Sequence, residues 1–444
     1  MTESTRSRYL TSNDAEYAAA HASWNLAYQH RPAVVAQPST VDEVADAVRY
    51  AGQRGLKVGI QVTGHGPCAL GDDTALLLSL RKLNRFSINP ERAEVTLGGG
   101  VRWDDLLGAA QDHGLAPLLG SAPHIGAVGY TLGGGFGWLA RQHGLAVDRV
   151  RSLTVVLADG SVVTASPTEH PDLFWALCGA GAGSLGVVVE MTMGLVPVRE
   201  VYAGNLLYPA DATVEVFGFW REWVRGIDSA MTSSLNIMAF PDLEIVPPPL
   251  RGETFTIVRG CHCGDQAEGA ALVDRVRAWR APIADLFGPM PFREMAVISQ
   301  DPVDPLPATS SGRWLSDADS ATVEAMVDFV GGGGLFAELR HSGGTVRRPN
   351  PAVSYAARDA EFVLDAVAVT PTSEAVAAAF GALDQLMAAT EPHHAALPAY
   401  LNFVTLDERR KLARKAFGAA DLQRLAAVKR DVDPGGLFGY GVLE

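Results

Sequence analysis

Apolar residues recur along this chain with two distinct periods. Val41, Val44, Ala45, Val48 and Ala51 fall on one face of a helix. Thr40-Val41-Asp42-Glu43 supplies its start: the threonine can accept from the N–H three residues on, and Glu43 can reach back. Gly55 supplies its stop. The same reasoning predicts helices over residues 13–24, from Trp103 to His113 before Gly114, and from Ser373 to Ala389 and Asp407 to Lys415. Another opens at Pro171, where a missing N–H costs nothing. Short unbroken apolar runs predict buried strands at Val58 to Val62, Ala75 to Leu80, Val187 to Val189 and Leu335 to His341. Leu153 to Leu157 and Val162 to Ala165 flank Asp159-Gly160, which predicts a hairpin.

The texture changes near Val196-Pro197-Val198. Glycine-rich loops separate short elements before it, and longer segments with more proline, such as Pro247-Pro248-Pro249, follow it. Gly331-Gly332-Gly333-Gly334 predicts a hinge or a wide loop. With 444 residues, two domains or one large composite are expected, and 48% apolar residues allow a substantial core.

Charge and cysteine usage narrow the class. The formal charge of −14 argues against nucleic acid and against an anionic membrane surface. No apolar run approaches the roughly 18 residues of a membrane span. The start, Met1-Thr2-Glu3-Ser4-Thr5-Arg6, has no basic-then-apolar signal pattern, so a cytoplasmic protein is expected. Cys68, Cys178, Cys261 and Cys263 do not suggest a disulfide framework. Cys261-His262-Cys263 lacks the second ligand pair of a structural zinc, and His393-His394 reads as helix-edge or loop residues, so no metal is expected.

Candidate chemistry concentrates in the glycine-rich loops. Gln61-Val62-Thr63-Gly64-His65-Gly66-Pro67 sets a histidine in nearly bare peptide, whose N–H groups can approach a ligand closely. Taken alone, that histidine is equally well one satisfied by carbonyls in a tight turn. Two more such loops follow, Gly120-Ser121-Ala122-Pro123-His124-Ile125-Gly126 and Gly129-Tyr130-Thr131-Leu132-Gly133-Gly134-Gly135-Phe136-Gly137. Gly181-x-Gly183-x-x-Gly186 fits a dinucleotide fingerprint, but a helix precedes it and a strand follows. A Rossmann unit requires the reverse order, so that reading is rejected.

These loops, the run Phe174 to Val188, Tyr400-Leu401-Asn402-Phe403, and Arg424 to Lys429 with Asp433 to Phe438 resemble the FAD-linked oxidases typified by berberine bridge enzyme and 6-hydroxy-D-nicotine oxidase. The resemblance implies an α+β fold. A two-part FAD-binding module of the PCMH (vanillyl-alcohol oxidase-like) type would carry an inserted α/β substrate domain with an antiparallel sheet. The implied divisions are 1–198 for the FAD-binding domain, 199–397 for the substrate domain and 398–444 for the returning C-terminal segment.

The resemblance also implies a covalent bond from His65 to FAD. Ala122 stands where doubly attached relatives carry a second linking cysteine, so one bond is the most expected. Gln61, Val62, Thr63, Gly64, Gly66, Pro67, Ser121, Ala122, Ile125, Gly126, Gly129, Tyr130, Thr131, Gly133, Gly134, Gly186, Val187 and Asn402 are the other implied cofactor contacts. Ile125 occupies the place where relatives tune oxygen access. The implied reaction removes hydride from a carbon bearing a hydroxyl or amine in a small molecule, with O2 as acceptor and H2O2 as product. Alternatives are a dehydrogenase using another acceptor, and a non-redox cyclase or binding protein that keeps the fold. Tyr400, His341, Tyr355 and Tyr130 are the candidate catalytic groups. Leu422 stands where many relatives place a tyrosine and cannot exchange a proton. On the strand near 339, Leu339 and His341 face one way and Glu338, Arg340 and Ser342 the other. Parity alone does not say which set meets the cofactor.

Overall fold

Thr40 caps a helix as its sequence requires. Its Oγ1 accepts from Glu43 N–H at 3.2 Å, the helix runs Val41–Arg54, and Gly55 ends it with φ of +66°. Glu43 reaches back one residue further than expected, to Ser39 N–H at 2.8 Å. The computed structural model describes residues 9–27, 29–66, 74–181, 183–244, 246–404 and 411–443. The expected site residue Pro67, Cys68 and the first part of the 407–415 helix lie outside them.

Three sheets organise the α+β fold. The first has four strands, with Val34–Ala36 and Lys57–Gln61 flanking Ala75–Ser79 in parallel and Tyr9–Leu10 at the edge. The second has five antiparallel strands, among them the expected hairpin Val150–Val156 with Val162–Ala165 and the strand Val187–Gly194. Val44, Val48, Val58, Leu76 and Leu78 pack against Val156, Val187 and Val189, so one core joins the helix Val41–Arg54 to both sheets.

The third sheet begins at Glu200, just past the change of texture, and all its pairings are antiparallel. From one edge its order is Ala284–Asp285, Glu200–Pro209, Thr254–His262, Met231–Ala239, Phe336–His341, Phe362–Val369, Ala308–Leu315 and His394–Ala399, and Gly288–Pro291 also pairs with Glu200–Pro209. Helices Thr213–Arg225, Gln266–Trp279, Ser320–Gly331 and Ser373–Ala389 cover one face through Trp220, Val273, Met326 and Leu383. The run at 331–334 is the turn after the third of these, with Gly333 at φ of +105°.

The C-terminal helix Ala419–Val432 returns to the N-terminal half. Arg424 lies 4.0 Å above the Trp175 ring and pairs with Asp172 at 2.6 Å, which seats it on the helix Pro171–Ala180. Lys429, buried, donates to the Ser184 carbonyl at 2.7 Å, the Phe438 carbonyl at 2.9 Å and Asp433 at 2.6 Å. Asp433 in turn accepts from the N–H groups of Leu437 and Phe438. This one cluster fixes both the end of the chain and the loop around Ser184.

Candidate functional site

A cavity of about 350 Å³ lies where the three sheets meet. The turn after the strand Lys57–Gln61 contributes Gln61 to Gly66, and the 120–130 stretch contributes Gly120, Ser121, Ala122, Ile125, Gly126, Gly129 and Tyr130. Gly181, Gly183 and Gly186 form another side, and Arg340, Asn402, Phe403 and Tyr440 complete it. Gly64 has φ of +78°, and a Cβ there would fall on Ser23, whose hydroxyl donates to the Gly64 carbonyl at 2.7 Å. At Gly126 a Cβ would press within 3.1 Å of Val62. At these two positions of the wall, bare peptide stands where a side chain does not fit.

His65 stands at that wall with an unusual set of neighbours. Its ring stacks on Trp24 at 4.1 Å and lies 4.8 Å from the His124 ring. Nδ1 is 2.9 Å from Thr63 Oγ1, and Nε2 is buried without a hydrogen-bond partner. Burial, reinforced by His124 and Arg102, lowers the imidazole to about 3, so the ring is neutral at physiological pH.

Several expected contacts stand elsewhere. Gly133 and Gly134 do not line the cavity: a Cβ would fall on Asn402 Oδ1 at the first and on the Tyr355 ring at the second, so these glycines make room for protein side chains. Thr131 is sealed inside the short helix Ala127–Leu132, and Val187 is sealed in the core between two sheets. Asn402 does reach the wall, with Nδ2 donating to the Tyr130 carbonyl at 3.1 Å.

The four candidate catalytic groups also separate. Tyr130 lines the cavity, its ring slotted against Gly120 and Gly135, and its buried hydroxyl has no partner. Tyr400 sits behind the wall, its hydroxyl accepting from Phe136 N–H at 2.9 Å. Tyr355 lies deeper, accepting from Trp314 Nε1 at 2.8 Å. Burial raises all three phenols. His341 is on the other side of its strand, beside Phe362 in the helix-covered core, and burial with Arg141, Arg347 and Arg225 nearby lowers it to about 2. Strand parity is thereby settled: Arg340 faces the cavity and His341 turns away.

Sequence reasoning passed over a buried charge cluster on the Arg340 side. Arg340 Nε donates to Glu338 Oε2 at 2.7 Å, and Arg259 and Ser234 reach Glu338 Oε1 at 3.3 and 2.7 Å. Burial opposes Glu338 ionisation, but Arg340 and Arg259 prevail and hold it below the usual carboxylate range. Asp365, directly across the strand pair from Glu338, is pushed up to about 8 by burial against the opposing pull of Arg340. A legible signal existed: Asp365 is the one charge in the apolar strand Phe-Val-Leu-Asp-Ala-Val-Ala-Val, and a carboxylate is almost never buried unless it has work to do.

Comparison with known proteins agrees with this geometry. Residues 32–166 match a family model described as FAD binding domain, and residues 399–441 match one described as berberine and berberine like. The chain is 28% identical over 433 residues to (R)-6-hydroxynicotine oxidase of Paenarthrobacter nicotinovorans, covering 94% of this chain and 92% of that enzyme. It is 33% identical over 233 residues to xylooligosaccharide oxidase of Thermothelomyces thermophilus, covering 51% of this chain and 46% of that one. The crystal structure of 6-hydroxy-D-nicotine oxidase from Arthrobacter nicotinovorans superposes with a TM-score of 0.85 at 23% identity, over 98% of this chain and 97% of that one. A matching segment towards each end of the chain and a shared fold make this protein similar, along nearly its whole length, to FAD-linked oxidases of the berberine bridge enzyme and 6-hydroxynicotine oxidase type.

Proposed function

We propose that the chain is an FAD-dependent oxidase that removes hydride from a carbon bearing a hydroxyl or amine in a small molecule, with O2 as the final acceptor and H2O2 as product. The observation that carries this reading is the cavity built from glycine peptide with one neutral, unpartnered imidazole nitrogen in its wall. The residues present fit FAD: closely packed bare peptide suits a pyrophosphate, and an orphaned buried nitrogen suits a covalent partner. Bound FAD supplies the two-electron acceptor, and the protein supplies position and electrostatics.

The roles of this chain's residues follow from where they stand. His65 offers Nε2, its ring nitrogen without a partner, for attachment, while Thr63 Oγ1 engages Nδ1. Asn402 ties the C-terminal wall to Tyr130. Arg340 sets a permanent positive charge in the wall, which favours arrival of negative charge in the cavity. Tyr400 holds the Phe136 N–H and so positions the wall rather than the substrate. The division into 1–198, 199–397 and 398–444 belongs to the same reading, supported by sheets that fall within 9–194 and 200–399.

The test is anaerobic reduction followed by admission of air. An oxidase recovers its flavin absorbance with stoichiometric peroxide. Recovery only on addition of an artificial acceptor would make the protein a dehydrogenase, and failure of any alcohol or amine to bleach the flavin would favour the non-redox alternative.

A further inference from the structure

The stretch from Ala22 to Asn25 is bound along the loop that carries His65. Trp24 N–H donates to the Thr63 carbonyl at 2.9 Å, and Asn25 N–H donates to the Gly64 carbonyl at 3.1 Å. Ser23 Oγ donates to the same Gly64 carbonyl at 2.7 Å. The Ala22 carbonyl accepts from Gln61 Nε2 at 2.8 Å and from Arg81. Every residue from 22 to 25 therefore grips the histidine loop, and the missing Cβ at Gly64 is what lets Ser23 come so close. The same stretch is tied to a segment far away in the chain. Trp24 Nε1 donates to the Val303 carbonyl at 2.8 Å. Asn25 Nδ2 donates to the Ala308 carbonyl at 2.8 Å, and Asn25 Oδ1 accepts from Ala308 N–H at 3.1 Å.

This framework presents one flat side chain to the imidazole. The Trp24 indole lies 4.1 Å from the His65 ring and within 15° of parallel to it, and the tilted His124 ring stands 4.8 Å from His65. Filling a core does not explain Trp24. It is half-buried, and among the described residues it belongs to none of the hydrophobic cores. What a parallel indole does fix is a plane. The lone pair of an imidazole nitrogen lies in the plane of its ring, so whatever holds that plane sets the direction in which Nε2 forms a bond. Thr63 Oγ1 engages the opposite edge of the ring at Nδ1, and one hydrogen bond at one edge does not hold the plane. Bond formation depends steeply on such alignment: misplacing a reacting atom by about 1 Å costs on the order of 10²-fold in rate.

We propose that Trp24 is a positioning residue for flavin attachment, its indole face holding the His65 imidazole in the plane from which Nε2 meets a methyl carbon of the flavin ring. The inference rests on the attachment reading above and adds a residue to it. Trp24 does not line the cavity, so it acts through His65. Attachment replaces a methyl C–H bond of FAD and the imidazole N–H bond by one C–N bond. The two electrons and two protons released pass on to O2, which becomes H2O2.

The experiment purifies wild type, Trp24→Leu and Trp24→Phe from flavin-limited cells, incubates each with excess FAD in air and samples over time. Each sample gives the total flavin bound per protein, the share that stays with acid-precipitated protein, and a melting temperature. In Trp24→Leu the acid-stable share is expected to build up at least tenfold more slowly than in wild type, while total bound flavin and melting stay close to wild type. Trp24→Phe keeps an aromatic face but loses the bond to Val303, and is expected to keep most of the wild-type rate. Trp24→Met takes the place of Trp24→Leu should that variant not fold. Equal rates in Trp24→Leu and wild type, a Trp24→Phe as slow as Trp24→Leu, or a loss of total flavin that matches the loss of attached flavin would give Trp24 a purely structural role and overturn the proposal, with the attachment reading intact. A wild-type protein whose bound flavin is all released by acid would overturn the attachment reading and the proposal together.

Discussion

Thr63 Oγ1 stands 2.9 Å from His65 Nδ1 and leaves Nε2 as the unpartnered nitrogen of a neutral imidazole. A hydrogen bond on one ring nitrogen fixes the tautomer at the other. Thr63→Val is therefore expected to cut the fraction of flavin attached covalently several-fold while free FAD still binds, and Thr63→Ser to preserve attachment. The measurement is the share of flavin absorbance that stays with acid-precipitated protein. Equal shares in all three proteins would remove Thr63 from the attachment step.

Gly64 is bound to its conformation by both φ and space. Its φ is +78°, and a Cβ would collide with Ser23. Gly64→Ala is expected to lose on the order of 1–3 kcal/mol from left-handed strain alone, and to lower FAD occupancy. Thermal melting and the ratio of flavin to protein absorbance check this together. A variant with unchanged melting and full flavin would show that the loop yields freely.

The buried Lys429–Asp433 pair holds the Ser184 loop and the chain end together. Lys429→Met leaves Asp433 buried without its partner, which costs roughly 3–5 kcal/mol. The loop carrying Gly183 and Gly186 is on the cavity wall, so weaker FAD retention is expected in the same variant. Denaturant unfolding and flavin release on dilution are the two readings. Stability lost without faster flavin release would confine the pair to a purely structural role.

His341 gives a pH dependence of known sign. Its folded value of about 2 lies far below the ordinary histidine value of about 6.5. Below pH 6.5 the unfolded chain takes up a proton that the folded one refuses, so this residue makes stability fall as pH falls. Between pH 7 and 5 the loss is on the order of 2 kcal/mol. Asp365, raised to about 8, has the opposite sign: its contribution is present at low pH and declines as pH rises towards 8. Comparing wild type with His341→Leu isolates the histidine. The variant is expected to lose less stability on acidification, and parallel curves would contradict the assignment.

How far the sequence could be read depended on what kind of cause shaped each position. Local causes were legible: Thr40 and Gly55 bound their helix, and Asp159-Gly160 sits between paired strands, because capping and turn chemistry act within a few residues. Glycines were legible as close approaches but not as to what approaches. Gly126 and Gly186 line the cavity, whereas Gly133 and Gly134 admit Asn402 and Tyr355, residues far away in the chain. Strand parity grouped Arg340 against His341, but only the helices packed on Leu339 decide which face is covered. Cavity residues such as Gly99 and Tyr440 come from separate segments and carry no shared local pattern.

The proposed covalent attachment at His65 is the central claim, and the mass of the denatured protein tests it directly. The expected result is a yellow acid pellet whose intact mass exceeds the polypeptide by one FAD, with both colour and added mass lost in His65→Ala. A colourless wild-type polypeptide that takes up no FAD would contradict the account.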